Sequence, residues 1–170
     1  QKIRNIEKPI IGAVNGVAAG AGANIALACD IVVATDHASF IQAFSKIGLI
    51  PDSAGTFFLP RLIGFQKATA LMMLGDKVSA EEALNMGMIY KIYPSSFFEE
   101  EVMTLATTLA QMPTKAIGLT KRLLNQSMTN NLEQQLALES DLQIEASSSN
   151  DYKEGVTAFV EKRKPEFKGN

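Results

Sequence analysis

Gly20, Gly22 and Asp52 are the residues around which a reaction could be built. The stretch from Lys8 to Asp30 runs an apolar strand into a turn where Gly20 and Gly22 open a helix. Such a junction leaves free backbone N–H groups at a helix N-terminus, where partial positive charge collects. It can bind a phosphate, or hold an oxyanion that develops on a carbonyl compound. Asp52 follows Pro51 in the turn Gly48-Leu-Ile-Pro, ahead of Ala54-Gly55-Thr56 at a loop-to-helix junction. Asp at such a place commonly caps the helix. If apolar neighbours such as Phe44, Ile50 and Phe57 desolvate it, it becomes instead a competent general base near neutral pH. Spacing alone leaves both readings open.

Other uses of the glycine turn fit less well. A dinucleotide fingerprint needs Gly or Ala where Ile25 stands and an acid about twenty residues further on in a strand. A phosphate-cradling P-loop needs a Gly-Lys-Ser/Thr triplet, which the chain lacks. The small residues Ala18 to Ala23 could also serve only to bring helix and strand close together. His37, the sole histidine, lies in the polar connection Thr35 to Ser39 and reads as a surface residue with no partner nearby. Met72, Met73 and Met86 sit at apolar helical positions and read as core filler. Lys162, Arg163, Lys164 and Lys168 read, from pattern alone, as a solvated helix end.

These residues need a frame, and 170 residues with 46% hydrophobic content suffice for one cored domain with an appendage. Sixteen Lys and Arg against 18 Asp and Glu leave a net charge of −2, so no broad basic footprint for nucleic acid exists. The lone Cys29 excludes an intrachain disulfide or a cysteine metal site, and makes a reducing cytoplasm the simplest compartment. No stretch approaches a membrane span. Ile10–Val14 and Asp30–Ala34 read as buried strands on either side of an Ala-rich helix over 20–28, which implies a layered α/β core with a right-handed crossover. Helical pieces divided by Pro60 and Gly64 follow from Ala54. Ser79 and Glu82 form a capping-box signal, Met88–Tyr93 reads as a further strand, and Ser96 with Glu99 repeats the cap. Helices are expected over 99–111, 114–125, 132–146 and 151–162. The shift in character falls near residue 112, dividing the chain into 1–112 and 113–170.

Lys8-Pro-Ile-Ile-Gly-Ala-Val-Asn-Gly, the small-residue turn, Ala28-Cys-Asp-Ile-Val-Val-Ala34, Gly48-Leu-Ile-Pro, Gly75-Asp-Lys-Val-Ser-Ala-Glu-Glu-Ala83 and Phe159-Val-Glu-Lys-Arg-Lys164 stand in one order along the chain. In that order the chain resembles the enoyl-CoA hydratase/isomerase, or crotonase, family. The resemblance implies an α/β crotonase-like spiral core, of which residues 1–112 would be the later strands and 113–170 a helical tail for oligomerisation and active-site cover. It implies an acyl-CoA thioester substrate whose carbonyl oxygen sits between two backbone N–H groups, the second matching Ala21. The first would lie upstream of Gln1, so the chain is expected to be the C-terminal part of a longer member and inactive alone. No metal or separate cofactor is implied, because CoA belongs to the substrate.

Within the family the acids separate the branches. Hydratases use two glutamates, whose matching positions here are Asn24 and Phe44, and neither residue can take a proton. Asp52 matches the aspartate of enoyl-CoA-type isomerases. The run Gly48–Thr56 with Leu59–Gly64 looks most like the branch that isomerises ring-epoxidised phenylacetyl-CoA, which usually has Gly where Ala54 stands. Asn24, Phe44, Ile50 and Pro51 would then line the acyl pocket. The resemblance further places Phe159 and Lys162 against the CoA nucleotide of a neighbouring subunit, in a homotrimer or dimer of trimers. A dehalogenase branch uses an aspartate nucleophile with a tryptophan, and this chain has no Trp. Enoyl-CoA hydratase and a non-catalytic interaction module remain the alternatives.

Overall fold

The computed structural model describes residues 1–170. In chain order its elements are α1 (Lys2–Asn5), β1 (Ile11–Val14), β2 (Val17–Ala19), α2 (Ala21–Leu27), β3 (Ile31–Thr35), β4 (Ser39–Ile41), α3 (Gly55–Ile63), α4 (Phe65–Leu74), β5 (Lys77–Ser79), α5 (Ala80–Asn85), β6 (Lys91–Tyr93), α6 (Phe98–Ala110), α7 (Thr114–Ser127), α8 (Leu132–Ser147) and α9 (Asn150–Glu161). Single 3-10 turns lie at Ala43–Ile47 and Ser95–Phe97. Two compact units result: one is Ile10–Met103, the other joins Gln1–Pro9 to Thr104–Asn170.

The first unit holds two three-stranded sheets. In one, β1, β3 and β6 run parallel, with Ile11 opposite Ile31 and Val33 opposite Lys91. In the other, β4 lies between parallel β2 and antiparallel β5. Parallel neighbours cannot be joined by a hairpin, so the chain must cross over between β1 and β3, and α2 lies in that crossing. Ala23, Leu27, Val32, Phe40, Leu59, Val78 and Ala83 share one buried apolar cluster. Their burial, at about 25 cal/mol per Å2 of apolar surface, is the main force holding α2 and α3 to the strands.

The second sheet was not expected. Val17–Ala19 and Lys77–Ser79 are strands of 3 residues each, too short to show an alternating pattern, and β2 lies inside the stretch read as a small-residue turn. The connection Thr35–Ser39 belongs at both ends to strands, and Thr35 and Ser39 are buried. The strand expected over Met88–Tyr93 is confined to Lys91–Tyr93, because Met88 and Ile89 turn inward after Gly87 and join the core. Pro60 does not divide α3; the break comes at Gly64, whose φ of 82° leaves the helical region.

The Ser79 cap forms as expected: Ser79 Oγ accepts from the Glu82 N–H at 3.2 Å, and Glu82 Oε2 accepts from the Ser79 N–H at 2.8 Å. The Ser79 hydroxyl also holds the Glu82 carboxyl below its usual range. Ser79→Ala is expected to cost about 1 kcal/mol, measured by denaturant unfolding. The Ser96 cap does not form, since a 3-10 turn precedes α6. A capping box not foreseen joins Asn131 and Gln134 at the start of α8.

In the second unit the N-terminal segment is tied to α7, so the expected division at residue 112 differs from the observed one. Buried Lys121 donates to the carbonyls of Ile3 at 2.7 Å and Lys8 at 3.0 Å, and Arg122 pairs with Glu7. At the other end, buried Asp151 accepts from the N–H groups of Lys168 at 2.7 Å and Gly169 at 2.8 Å. Arg163 forks onto Glu154, which also accepts from the Glu166 N–H at 2.8 Å. The guanidinium bond, then the Glu166 bond, holds the Glu154 carboxyl down from 4.5 to about 2. A depressed acid stabilises above its unfolded value, so this contribution is full above pH 4.5 and lost as pH falls through about 2. An NMR titration should show the Glu166 amide shifting with Glu154 over that window.

Candidate active site

Gly20 adopts φ 53°, ψ −123° immediately before α2, a conformation that a residue with a side chain resists. Its N–H donates to the Ile41 carbonyl of β4 at 2.8 Å, and the Phe44 ring lies 3.5 Å from where a Cβ would stand. The second sheet thus fixes the turn from below. Ala21 follows as the first residue of α2, half-buried, beside exposed Gly22. N–H groups of a first helical turn have no acceptor within the helix.

Asn24, one turn along α2, is fully buried. Its Nδ2 donates to the Asp52 main-chain carbonyl at 2.9 Å, and its Oδ1 accepts from Gln42 Nε2 at 2.8 Å. Gly55 lies so close that a Cβ there would stand 2.3 Å from Asn24 Nδ2. Both ends of the Asn24 amide are thus engaged inside the protein. Phe44 is likewise buried, against Gly20.

Asp52 does not cap α3. Ala54 is the N-cap residue, with φ 63° and no side-chain bond, and Ser53 before it has φ 50°. Two successive residues in the left-handed region are uncommon outside glycine, so glycine would fit position 54 with less strain than Ala54 does. The Asp52 main-chain carbonyl receives the Gly55 N–H at 2.9 Å as well as the Asn24 amide. The carboxylate itself is exposed, Pro51 is half-buried, and Ile50 is 84% exposed. The desolvation expected from Phe44, Ile50 and Phe57 is therefore not supplied by these residues in the chain alone.

His37 is exposed as expected, but it has partners. Its Nδ1 lies 2.8 Å from Ser95 Oγ and 3.2 Å from Asp36 Oδ1, and its Nε2 lies 3.2 Å from the Asn15 carbonyl. Ser95 also donates to Asp36, and that bond, followed by the His37 contact, lowers the Asp36 carboxyl. These residues follow β1, β3 and β6 in sequence, so the parallel sheet, invisible to local spacing, brings them together. A catalytic triad places serine and aspartate on opposite ring nitrogens, whereas here both meet Nδ1. The cluster is a polar clasp.

The remaining expected site residues lie in the second unit. Phe159 projects from the last turn of α9, 84% exposed, and Lys162 follows the helix at φ 55°. Phe159 borders a cleft of about 440 Å3 with Ala116, Tyr152, Val156 and Phe167.

A family model described as enoyl-CoA hydratase/isomerase matches residues 1–170. The chain belongs to the enoyl-CoA hydratase/isomerase family. This family member is 48% identical over 99% of its length to the 1,2-epoxyphenylacetyl-CoA isomerase of Escherichia coli (strain K12), covering 64% of that protein. It is 46% identical, over 99% of its length and 66% of the relative, to a "Probable enoyl-CoA hydratase" of Rhodobacter capsulatus. Among solved structures, an enoyl-CoA hydratase from Polaromonas sp. JS666 superposes with a TM-score of 0.94 at 36% identity, over 98% of this chain and 65% of that one. The fold is thus crotonase-like, and the chain spans 64 to 66% of the length of the curated relatives it matches.

Proposed function

We propose that the protein is an acyl-CoA isomerase acting through an enolate of the thioester, with a double-bond or ring-epoxide substrate of the kind named for the Escherichia coli relative. One observation carries this reading: Asp52 is anchored by its main chain while its carboxylate stays exposed, in the same compact unit as the glycine turn. The carboxylate takes a proton from a carbon next to, or conjugated with, the thioester. The electron pair moves to the thioester oxygen, held by the Ala21 N–H and a second donor outside this chain. For a double-bond substrate Asp52 then returns the proton to another carbon of the conjugated system, so one C–H bond breaks, one forms and the double bond shifts, without a metal or separate cofactor. Acid–base transfer contributes about 10²- to 10⁴-fold, and one oxyanion donor about 10²- to 10³-fold.

The acyl-CoA itself and the remainder of the family fold would supply the apolar screen that Asp52 lacks in this chain. Phe159 and Lys162 would meet the CoA nucleotide of a neighbouring subunit in a trimer or dimer of trimers, which makes the helical tail a cover as well as an interface. A cytoplasmic setting, in phenylacetate or other aromatic degradation, suits such a substrate. Hydratase activity is favoured by the name of the Rhodobacter capsulatus relative. It is disfavoured by Asn24 and Phe44, which offer no proton-accepting group. Turnover of a β,γ-enoyl-CoA by the full-length protein tests the proposal; binding without turnover would mean a non-catalytic module.

A further inference from the structure

We propose that Asn24 is a positioning residue for Asp52, coupling the base loop to the helix that carries the oxyanion donor. The inference rests on Asp52 acting as the base, as proposed above. Asn24 lies on α2, in the first turn after Ala21, and its Nδ2 bond to the Asp52 carbonyl joins the two segments directly. An amide is required at this position. It must donate to one partner, the Asp52 carbonyl, and accept from the other, Gln42 Nε2, and a carboxamide presents both functions in one small planar group at any pH.

Packing keeps the link stiff. Asn24 and Gln42 are both buried, and Gly55 leaves no space into which the amide could swing. Gln42 follows β4, whose Ile41 carbonyl accepts from Gly20, so one end of the second sheet braces both the glycine turn and the amide pair. A proton moved between two carbons demands a base held to a fraction of an ångström relative to the enolate oxygen. A misplacement of about 1 Å can cost about a hundredfold in rate.

Asn24→Asp keeps the shape and the Gln42 contact but sets an oxygen against the Asp52 carbonyl. The introduced carboxyl restores the donor only when protonated. In the full-length protein, assayed well below unfolding with a β,γ-enoyl-CoA, N24D is expected to lose about a hundredfold in kcat with KM nearly unchanged. Its kcat relative to the unaltered protein should rise as pH is lowered; a purely structural Asn would lower the unfolding temperature without that pH dependence. An N24D kcat equal to that of the unaltered protein, or a loss independent of pH, overturns the proposal. If N24D does not fold, Gly55→Ala carries the test, because its Cβ displaces the Asn24 amide; an unchanged kcat there overturns the proposal equally. Asp52→Asn is measured alongside. Full turnover by D52N removes the base and the positioning role with it, whereas a dead D52N beside a fully active N24D removes positioning alone.

Discussion

Asp52→Asn lowers isomerase turnover by about 10²- to 10⁴-fold in the full-length protein while acyl-CoA affinity stays nearly unchanged, the range of one lost acid–base catalyst. The substitution is close to isosteric, and the bonds that hold the loop use main-chain atoms: the Asp52 carbonyl receives the Asn24 amide and the Gly55 N–H whatever the side chain is. Because the carboxylate is exposed and caps no helix, its removal leaves the fold intact. The loss therefore falls on kcat. Steady-state kinetics and titration calorimetry on the pair of proteins decide the matter, and substantial residual turnover would remove Asp52 from the role of base.

Hydration of crotonyl-CoA is expected to run at least about a hundredfold slower than isomerisation, the scale of a single missing catalytic group. Adding water across a double bond by the two-carboxylate route needs one group to activate the water and another to deliver a proton. At the matching positions the amide of Asn24 is already shared between Asp52 and Gln42, and the Phe44 ring packs on Gly20. Neither can accept or deliver a proton as a carboxylate does. The loss of absorbance on crotonyl-CoA, followed beside isomerase turnover, measures the ratio. Comparable rates would sink the isomerase assignment and favour the hydratase reading.

The glycine turn, the two longer parallel strands and the Ser79 cap were legible because each depends on residues adjacent in sequence. Glycine at φ 53°, an apolar run, or Ser followed by Glu at the third position leaves a local mark. The short strands β2 and β5 left none, because 3 residues cannot display a period and their pairing is decided by β4. At the site, sequence singled out Asp52 but could not say which of its groups would be engaged. Asn24 drew notice for the carboxylate it lacks; its actual bonds reach Gln42 and Asp52, distant in sequence and joined only by the folded core. The polar clasp of Asp36, His37 and Ser95 escaped notice for the same reason, its members following separate strands.

The back-to-back left-handed residues Ser53 and Ala54 let the chain enter α3 without calling on the side chain before them. The junction is held through the main chain of residue 52, whose carbonyl receives the Gly55 N–H and the Asn24 amide, so residue 52 behaves as a socket rather than a bracket. An exchange of its side chain alters what is offered to a bound molecule and leaves the socket standing. Evolution could therefore try new chemistry at this spot at little risk to the architecture around it, and a saturation library at position 52 should yield proteins that differ widely in reactivity while melting at nearly the same temperature.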